Sequence, residues 1–188
     1  FKQNTFLAAV HFNKTSVGVA LLDISTGEFL AGQGTAEYVS KLLSSFAPKE
    51  ILFERGKNES FYKLYDGKTS TFTMEDWVFS EETAQKRLLK QFEVSTLKGF
   101  GISELNEAIV AAGAILYYLD QTQHFQTSHI TQISRIHSEN FVWLDKFTIR
   151  NLELFSTGYG DGKSLVDVLD DTRTAMGARL LRRYVAFP

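Results

Sequence analysis

The chain contains 188 residues, and its 44% hydrophobic content, 13 Gly and 2 Pro are typical of a globular protein. This length allows one full core, or one domain and part of another. The 20 Lys and Arg against 22 Asp and Glu give a net charge of −2, without the basic excess with which DNA-binding modules neutralise phosphates. The absence of Cys excludes disulfides and thiolate metal sites and fits a reducing cytoplasm. No apolar run reaches the roughly 18 residues of a membrane span.

The first part of the chain predicts three strands, a helix and a fourth strand. Apolar residues alternate or run continuously in the strands, and they change to helical spacing in the helix. A Thr that can cap the helix precedes it, and a Pro ends it. In chain order, these elements are strands at Phe6–Phe12, Val17–Ile24 and Glu28–Gly32, the helix between Thr35 and Pro48, and a strand at Glu50–Glu54.

The next part predicts loops that can include a helical turn, then a last strand and two helices. Residues 55–73 are polar and Gly-containing, with a strand near Ser70–Thr73. A helix runs from Ser80 to Phe92, and a second begins at Ser103 with an apolar stripe along one face. The stretch Gln121–His137 is rich in Gln, Thr, Ser and His, and we interpret it as the crossing between two domains.

The rest of the chain predicts helices. An apolar run at Phe141–Leu144 ends in Asp145, which can cap a helix that bears Ile149, Leu152 and Phe155. Two more helices follow a Gly-rich loop. The buried side of the last helix is predicted to carry Met176, Leu180, Leu181 and Tyr184.

A specific motif occupies this C-terminal part. Its residues are Arg150-Asn151-Leu152-Glu153-Leu154, Ser164-Leu165, Leu169-Asp170, Thr172, Thr174-Ala175-Met176-Gly177, Arg179-Leu180-Leu181-Arg182-Arg183 and Pro188. The pattern resembles the start of the core domain of the MutS family of DNA mismatch-recognition ATPases. Tyr184 stands where the family often has Trp, which keeps a large aromatic side chain.

The resemblance implies a fold class and a domain organisation. The expected fold is an α/β ribonuclease-H-like connector domain, a mixed sheet with flanking helices, followed by an all-α segment of the core domain. The expected divisions are 1–125 for the connector, 126–139 for a linker and 140–188 for the N-terminal part of the helical core or lever domain. Because the chain opens on Phe1 without Met and stops at Pro188, we expect it to be a piece of a longer protein.

The resemblance also implies a function without bond-making chemistry in this chain. The connector would link the mismatch-binding and core domains, transmit the nucleotide state and offer a docking surface for MutL. ATP and Mg would be cofactors of the parent ATPase only, and mismatched duplex DNA would be bound by domains not present. The parent is expected to be a cytoplasmic, nucleoid-associated homodimer with no membrane contact.

One loop resembles a phosphate-binding motif only in part. Residues 157–164 end in Gly162-Lys163-Ser164 and precede a helix, but Thr157 stands where Walker A needs its first Gly. The preceding segment is predicted to be helical, whereas a phosphate-binding loop follows a buried strand. A turn between helices is therefore favoured over a nucleotide site at Lys163.

The alternative function is a degenerate ribonuclease-H-like nucleic-acid hydrolase. Such enzymes hold two metal ions with carboxylates, one of them on the first strand. Here the first strand offers only His11, and Asp23 and Glu54 are more simply strand-end residues that face water. The sequence therefore favours a non-catalytic fragment.

The remaining polar clusters also favour structural roles. His11, His124, His129 and His137 lack zinc spacing. Arg179, Arg182 and Arg183 could contact phosphate, but Asp residues nearby in sequence favour surface ion pairs. No catalytic, cofactor-binding or metal-binding residue is predicted.

Docking would instead use exposed side chains on the outward faces of the two long helices. Lys86, Arg87 and Glu107 are the candidate probes of this surface.

Overall fold

The computed structural model describes residues 5–122, 127–137, 144, 146–158 and 162–186. The chain divides into two compact units, Thr5–Ile136 and a second that includes His137–Pro188. The first is an α/β unit, and the described elements of the second are helices. No described helix is long and apolar enough to cross a lipid bilayer.

A mixed six-stranded sheet organises the first unit. The strands are β1 (Phe6–Phe12), β2 (Val17–Asp23), β3 (Glu28–Gly34), β4 (Glu50–Glu54), β5 (Ser70–Met74) and β6 (Ser134–Arg135). Their order across the sheet is β5-β4-β1-β2-β3-β6. The hairpin neighbours β1, β2 and β3 are antiparallel, whereas β1, β4 and β5 run parallel because longer connections join them. The predicted strands are thus observed, with small differences at their ends.

Four α-helices flank this sheet, and local signals start two of them. They are α1 (Ala36–Phe46), α2 (Asn58–Leu64), α3 (Glu81–Phe92) and α4 (Asn106–Thr122). The hydroxyl of Thr35 accepts from the Tyr38 N–H at the start of α1. Ser80 accepts from the Thr83 N–H at the start of α3. These hydroxyls satisfy donors that a helix leaves free in its first turn.

The start of α4 differs from the prediction. The sequence favours a helix from Ser103, but α4 begins at Asn106, after a turn in which the Leu105 N–H donates to the Ile102 carbonyl. Gln33 on β3 supplies the cap, since its Oε1 accepts from the N–H groups of Glu107 and Ala108, at 3.0 and 3.3 Å. The helix start is therefore decided by a strand far away in sequence.

Helices α3 and α4 cover one face of the sheet. The core beneath them includes Leu7, Ala9, Leu22 and Leu52, all buried. Glycine allows α4 to approach β2, because a Cβ added at Gly18 would lie within 3.0 Å of the Glu107 backbone. This close packing leaves little freedom in the position of α4.

Helices α1 and α2 cover the opposite face. Phe6 on β1 meets Phe46 of α1 edge-on, with ring centroids 5.2 Å apart. Phe53 on β4 stacks on Phe61 of α2 at 4.3 Å. Such edge-on and stacked aromatic pairs add to the stabilisation from buried apolar area, and the sheet is covered on both sides as parallel strands require.

Residues 127–136 are part of the α/β unit, which differs from their predicted place in a linker at 126–139. Ile130, Ile133 and Ile136 are buried, and β6 pairs with β3. The Gln91 side chain donates to the carbonyls of Thr127 and Ile130 at 2.8 and 3.0 Å. Burial of the three Ile side chains stabilises the packing of this segment on the sheet. The many polar residues of the segment had instead indicated a linker.

The second unit contains α5 (Lys146–Asn151), α6 (Leu165–Leu169) and α7 (Ala175–Ala186). The helix that was predicted to bear Leu152 and Phe155 ends at Asn151, and Glu153 takes the left-handed conformation with φ of 49°. This conformation cannot continue a right-handed helix. Most of the predicted run 141–144 and its cap at position 145 lie outside the described residues.

Helix α7 buries small residues rather than the predicted apolar stripe. Ala178 and Ala186 are its buried residues. Met176 and Tyr184 are 69% and 64% exposed, and Leu180 is also exposed. The apolar side of α7 is thus exposed at these three side chains, because no described element of this unit covers them.

Candidate functional site

Asp23 and Glu54, the two carboxylates considered for the nuclease alternative, lie near opposite ends of β1, measured along the strand direction. Asp23 is paired with Phe6 at the start of β1. Phe53 is paired with Val10, which places Glu54 near the other end of β1. Five residues of strand separate these ends by about 16 Å. One pair of metal ions, which sit roughly 4 Å apart, cannot be bound by both.

Asp23 is buried, so its expected position facing water is wrong. Its side chain is 1% exposed, and Oδ1 accepts from the Ser25 N–H at 2.9 Å and from the Ser25 hydroxyl at 2.6 Å. Its backbone carbonyl accepts from Thr26 and Gly27. These bonds order the β2–β3 turn, while Oδ2 is buried without a hydrogen-bond partner. No group of three or more potential metal ligands occurs among the described residues.

His11 on β1 packs between aromatic and charged neighbours. Its ring stacks on Phe79 with centroids 5.9 Å apart, and its Nδ1 is buried without a hydrogen-bond partner. Burial lowers the pKa of His11, the Glu107 carboxylate opposes this shift and Lys57 adds to it. Glu107 in turn accepts from the Asn13 amide at 2.6 Å. The arrangement favours a neutral, packed imidazole.

The Gly162-Lys163-Ser164 stretch forms a helix cap. The Ser164 N–H and hydroxyl both donate to Asp167 Oδ2, and the Asp167 N–H donates back to the hydroxyl at 3.2 Å. This capping box already uses the groups that a phosphate-binding loop would offer to its ligand. The bonds from Ser164 also lower the pKa of Asp167. Residues 159–161 of this loop lie outside the described residues.

The other basic candidates differ in their surroundings. His129 Nε2 lies 2.7 Å from the Ile24 carbonyl and thereby holds the 127–136 segment beside the β2–β3 turn. Arg179, Arg182 and Arg183 of α7 are partly buried, and burial lowers the pKa of Arg183. Surface ion pairs at these Arg side chains stay a prediction. His124 lies outside the described residues, and His137 is exposed.

The three proposed surface probes differ in their surroundings. Lys86 is an outward-facing side chain, 75% exposed, that pairs with Glu82 on its own helix at 2.6 Å. Arg87 is only 18% exposed and makes a two-point contact with Asp120 of α4, at 2.6 and 2.8 Å. Arg87 therefore connects α3 to α4 and is not the exposed, outward-facing side chain that was expected. Glu107 is also partly buried, and it accepts from the Asn13 amide at 2.6 Å.

Sequence reasoning missed a cluster of partly exposed aromatic residues, here called the aromatic shelf. It consists of Phe72 on β5, Trp77 in the 3₁₀ turn Asp76–Phe79, and Tyr117 and Tyr118 on α4. The Trp77 and Tyr117 rings meet edge-on at 5.0 Å, and those of Phe72 and Tyr118 lie 5.3 Å apart. Phe72 is 47% and Trp77 is 51% exposed. One sequence feature could have indicated this cluster: the strand at 70–74 has no charged residue and carries Phe72 at its centre.

A cavity of about 260 Å³ lies near one end of this shelf. Its lining includes Phe6, Ile24, Glu50, Tyr118 and Thr122. The Tyr118 hydroxyl donates to Glu50 Oε2 at 3.1 Å, and burial followed by the Glu50 carboxylate raises the pKa of Tyr118. The carboxylate is thus already bound to a shelf residue.

Comparison with known protein families assigns both units. The family model for MutS domain II matches residues 5–131, and the model for MutS domain III matches residues 147–188. The first match covers most of the α/β unit, whose mixed sheet with flanking helices fits a MutS connector domain. The second covers the three described helices of the C-terminal unit.

Curated relatives match the chain from end to end. It is 56% identical over 188 residues to the DNA mismatch repair protein MutS of Phocaeicola vulgatus, and 55% identical to that of Bacteroides thetaiotaomicron. Identity to the MutS of Porphyromonas gingivalis is 54% over 187 residues. The chain spans about 22% of the length of the first two relatives and 21% of the third. With these matches, the chain belongs to the MutS family of DNA mismatch repair proteins.

Proposed function

We propose that this chain is the connector and the first part of the core of a mismatch-recognition ATPase. It would link the mismatch-binding domain to the core, transmit the nucleotide state and dock MutL. The observation that carries this proposal is the succession of MutS domain II over 5–131 and domain III over 147–188 in one chain. A segment that joins two domains is placed to pass movement between them.

The finer fold and boundary assignments belong to the same proposal. A ribonuclease-H-like label is supported by three antiparallel strands followed by a helix and a parallel strand on the far side of β1. The connector would occupy 1–125 and the helical lever 140–188. The packing of segment 127–136 on the sheet favours an extension of the connector from 125 to about Ile136, with the junction near His137.

The proposed role needs no catalytic group in this chain. MutS domains II and III are the parts matched, and the carboxylates considered for metal binding lie about 16 Å apart along β1. ATP and Mg would act in a nucleotide-binding domain outside this chain, and DNA would be held by other domains of a homodimeric parent in the cytoplasm.

A rigid helix pair supports the docking part of the proposal. Arg87 and Asp120 connect α3 to α4, and a Cβ at Gly113 would lie within 3.0 Å of Ala84. The outward side chains of such a pair keep fixed positions, so a partner can bind without first ordering the surface. Lys86 is the most suitable charge to alter, because its exposed pair with Glu82 contributes little to stability.

The test uses the full-length parent with Lys86→Glu and a matched control, Lys63→Glu. Lys63 makes a similar exposed pair with Glu59 at 2.7 Å, but on α2, which covers the other sheet face. Surface plasmon resonance on end-blocked mismatched DNA measures ATP-dependent recruitment of MutL. We expect Lys86→Glu to reduce recruitment while Lys63→Glu does not, with mismatch binding and ATP hydrolysis unchanged in both.

Deletion of the whole connector tests the mechanical role. Mismatch-stimulated nucleotide exchange and MutL recruitment should both be lost. If both survive the deletion, the connector neither transmits state nor docks MutL, and the proposal is wrong.

A further inference from the structure

Strand β5 forms an edge of the sheet. It pairs with β4 on one side, and no described strand pairs with its other side. An edge strand exposes backbone N–H and C=O groups that can pair with another chain, and natural proteins usually protect it with charges or Pro. Ser70–Met74 contains neither. The edge is thus open to an added strand.

The direction of the free backbone groups follows from one hydrogen bond. The Met74 carbonyl accepts from the Arg55 N–H at 2.8 Å, so the backbone of Met74 faces the β4 side. Backbone groups alternate along a strand. Phe72 and Ser70 therefore also face β4, whereas the N–H and C=O groups of Thr71 and Thr73 point away from the sheet.

The aromatic shelf lies on the α4 side of this edge. Phe72 contacts Tyr118, and Trp77, which follows β5 by three residues, contacts Tyr117. An added strand would place every second side chain on the α4 side, where Phe72 and Trp77 are half-exposed. The shelf would thus contact apolar side chains at alternate positions of that strand.

Acidic side chains near this edge outnumber the basic ones, by three to two. Glu50 binds the shelf residue Tyr118, Asp76 is exposed beside Trp77, and Glu75 pairs with Arg55 at 2.5 Å. Lys68 lies two residues before the strand. This distribution favours a partner segment with basic residues next to its apolar ones.

We propose that β5 and the aromatic shelf bind an extended segment of a partner protein, with alternating apolar residues and basic ends, as an added strand of the sheet. The mode is β-strand addition, in which backbone bonds provide affinity and side-chain contacts provide specificity. The proposal rests on the proposed function only in that this chain docks partner proteins. It differs from the docking of MutL on the outward side chains of α3 and α4, because here the backbone groups of Thr71 and Thr73 on β5 bind the partner.

The experiment uses the whole 188-residue chain and a synthetic peptide, acetyl-Lys-Phe-Thr-Val-Thr-Phe-Arg-amide. Calorimetry measures affinity, and NMR measures hydrogen exchange at the Thr71 and Thr73 amides. We expect saturable binding that slows exchange at both amides and shifts the Trp77 indole resonance. A peptide with Glu at both ends should bind more weakly.

Backbone variants separate strand addition from simple hydrophobic contact. Thr73→Pro removes an outward N–H and spares the bonds to β4, whereas the control Thr73→Val keeps that N–H. We expect the Pro variant to bind about tenfold more weakly, the effect of losing one or two hydrogen bonds. If Thr73→Pro fails to fold, a peptide N-methylated at alternate residues gives the same test, because it cannot donate to the edge.

Three results would overturn the proposal. They are no saturable binding of the basic peptide, equal binding of the N-methylated peptide, or a dimer that Thr73→Pro dissociates, which would make a second copy the occupant. Loss of MutL recruitment in Lys86→Glu tests only the proposed function, so the two failures are distinguishable.

Discussion

Gly113 of α4 faces Ala84 of α3 at a separation that leaves no room for a side chain. A Cβ added at Gly113 would lie within 3.0 Å of both the Cα and the Cβ of Ala84. Because one of these atoms belongs to the backbone, a rotamer change cannot relieve the overlap. This approach sets the distance between the two helices that cover one face of the sheet.

Gly113→Ala is therefore expected to destabilise the α/β unit by about 1–3 kcal/mol, the usual cost of overpacking, despite the better helix propensity of Ala. Urea unfolding followed by circular dichroism measures the change. Gly99→Ala is the control, because nothing lies within 4 Å of its added Cβ and its φ is not positive. A stability equal to that of the control would contradict the observed helix packing.

The Arg87–Asp120 contact should stabilise the fold more than the exposed Lys86–Glu82 pair. Arg87 is 18% exposed and makes two hydrogen bonds to Asp120, whereas both partners of the other pair are at least 75% exposed. Double-mutant cycles with Ala should give a coupling free energy of about 1 kcal/mol for the first pair and about 0.3–0.5 kcal/mol for the second. The reverse order would argue against a link between α3 and α4.

His11 should make stability depend on pH. Burial lowers its pKa in the folded state, against an ordinary value of 6.5, even though Glu107 opposes the shift and Lys57 reinforces it. The folded state thus binds fewer protons than the unfolded state in this range. The His11 contribution is fully present above pH 6.5 and is lost as the pH falls through the lowered pKa.

The measurement compares the unfolding free energy of the chain with that of His11→Phe between pH 7.5 and about 5. Phe preserves the stack on Phe79 and cannot be protonated. We expect the unfolding free energy of the unsubstituted 188-residue chain to fall more steeply on acidification than that of His11→Phe. Parallel profiles would show that His11 is not responsible.

The chain should not bind ATP through Lys163. The Ser164 N–H and hydroxyl already bind Asp167, and Thr157 replaces the first Gly of the phosphate-binding motif. Titration with a fluorescent ATP analogue should give no saturable signal, while Ser164→Ala should destabilise the C-terminal unit by about 1 kcal/mol through loss of the cap. Micromolar binding abolished by Lys163→Ala would reverse this interpretation.

Local sequence determined most of the strands, two helix starts and the family of this protein. Side-chain periodicity predicted the first four strands, and the hydroxyls of Thr35 and Ser80 marked two helix starts that the structure confirms. These features depend on residues within one turn or one strand, so they can be identified without knowing the rest of the chain. The motif from Arg150 to Arg183 likewise pointed to the MutS family, which the domain matches confirm.

Contacts between distant residues decided the rest. Gln33 sets the start of α4 from a separate strand, and Arg87 is removed from solvent by Asp120, 33 residues away. Asp23 was expected to face water, but it is buried beneath the turn that it orders. The exposed edge of β5 also depends on strand order, which no local pattern contains. A side chain's burial and hydrogen-bond partners come from tertiary packing, whereas periodicity reports only which face of its own element it occupies.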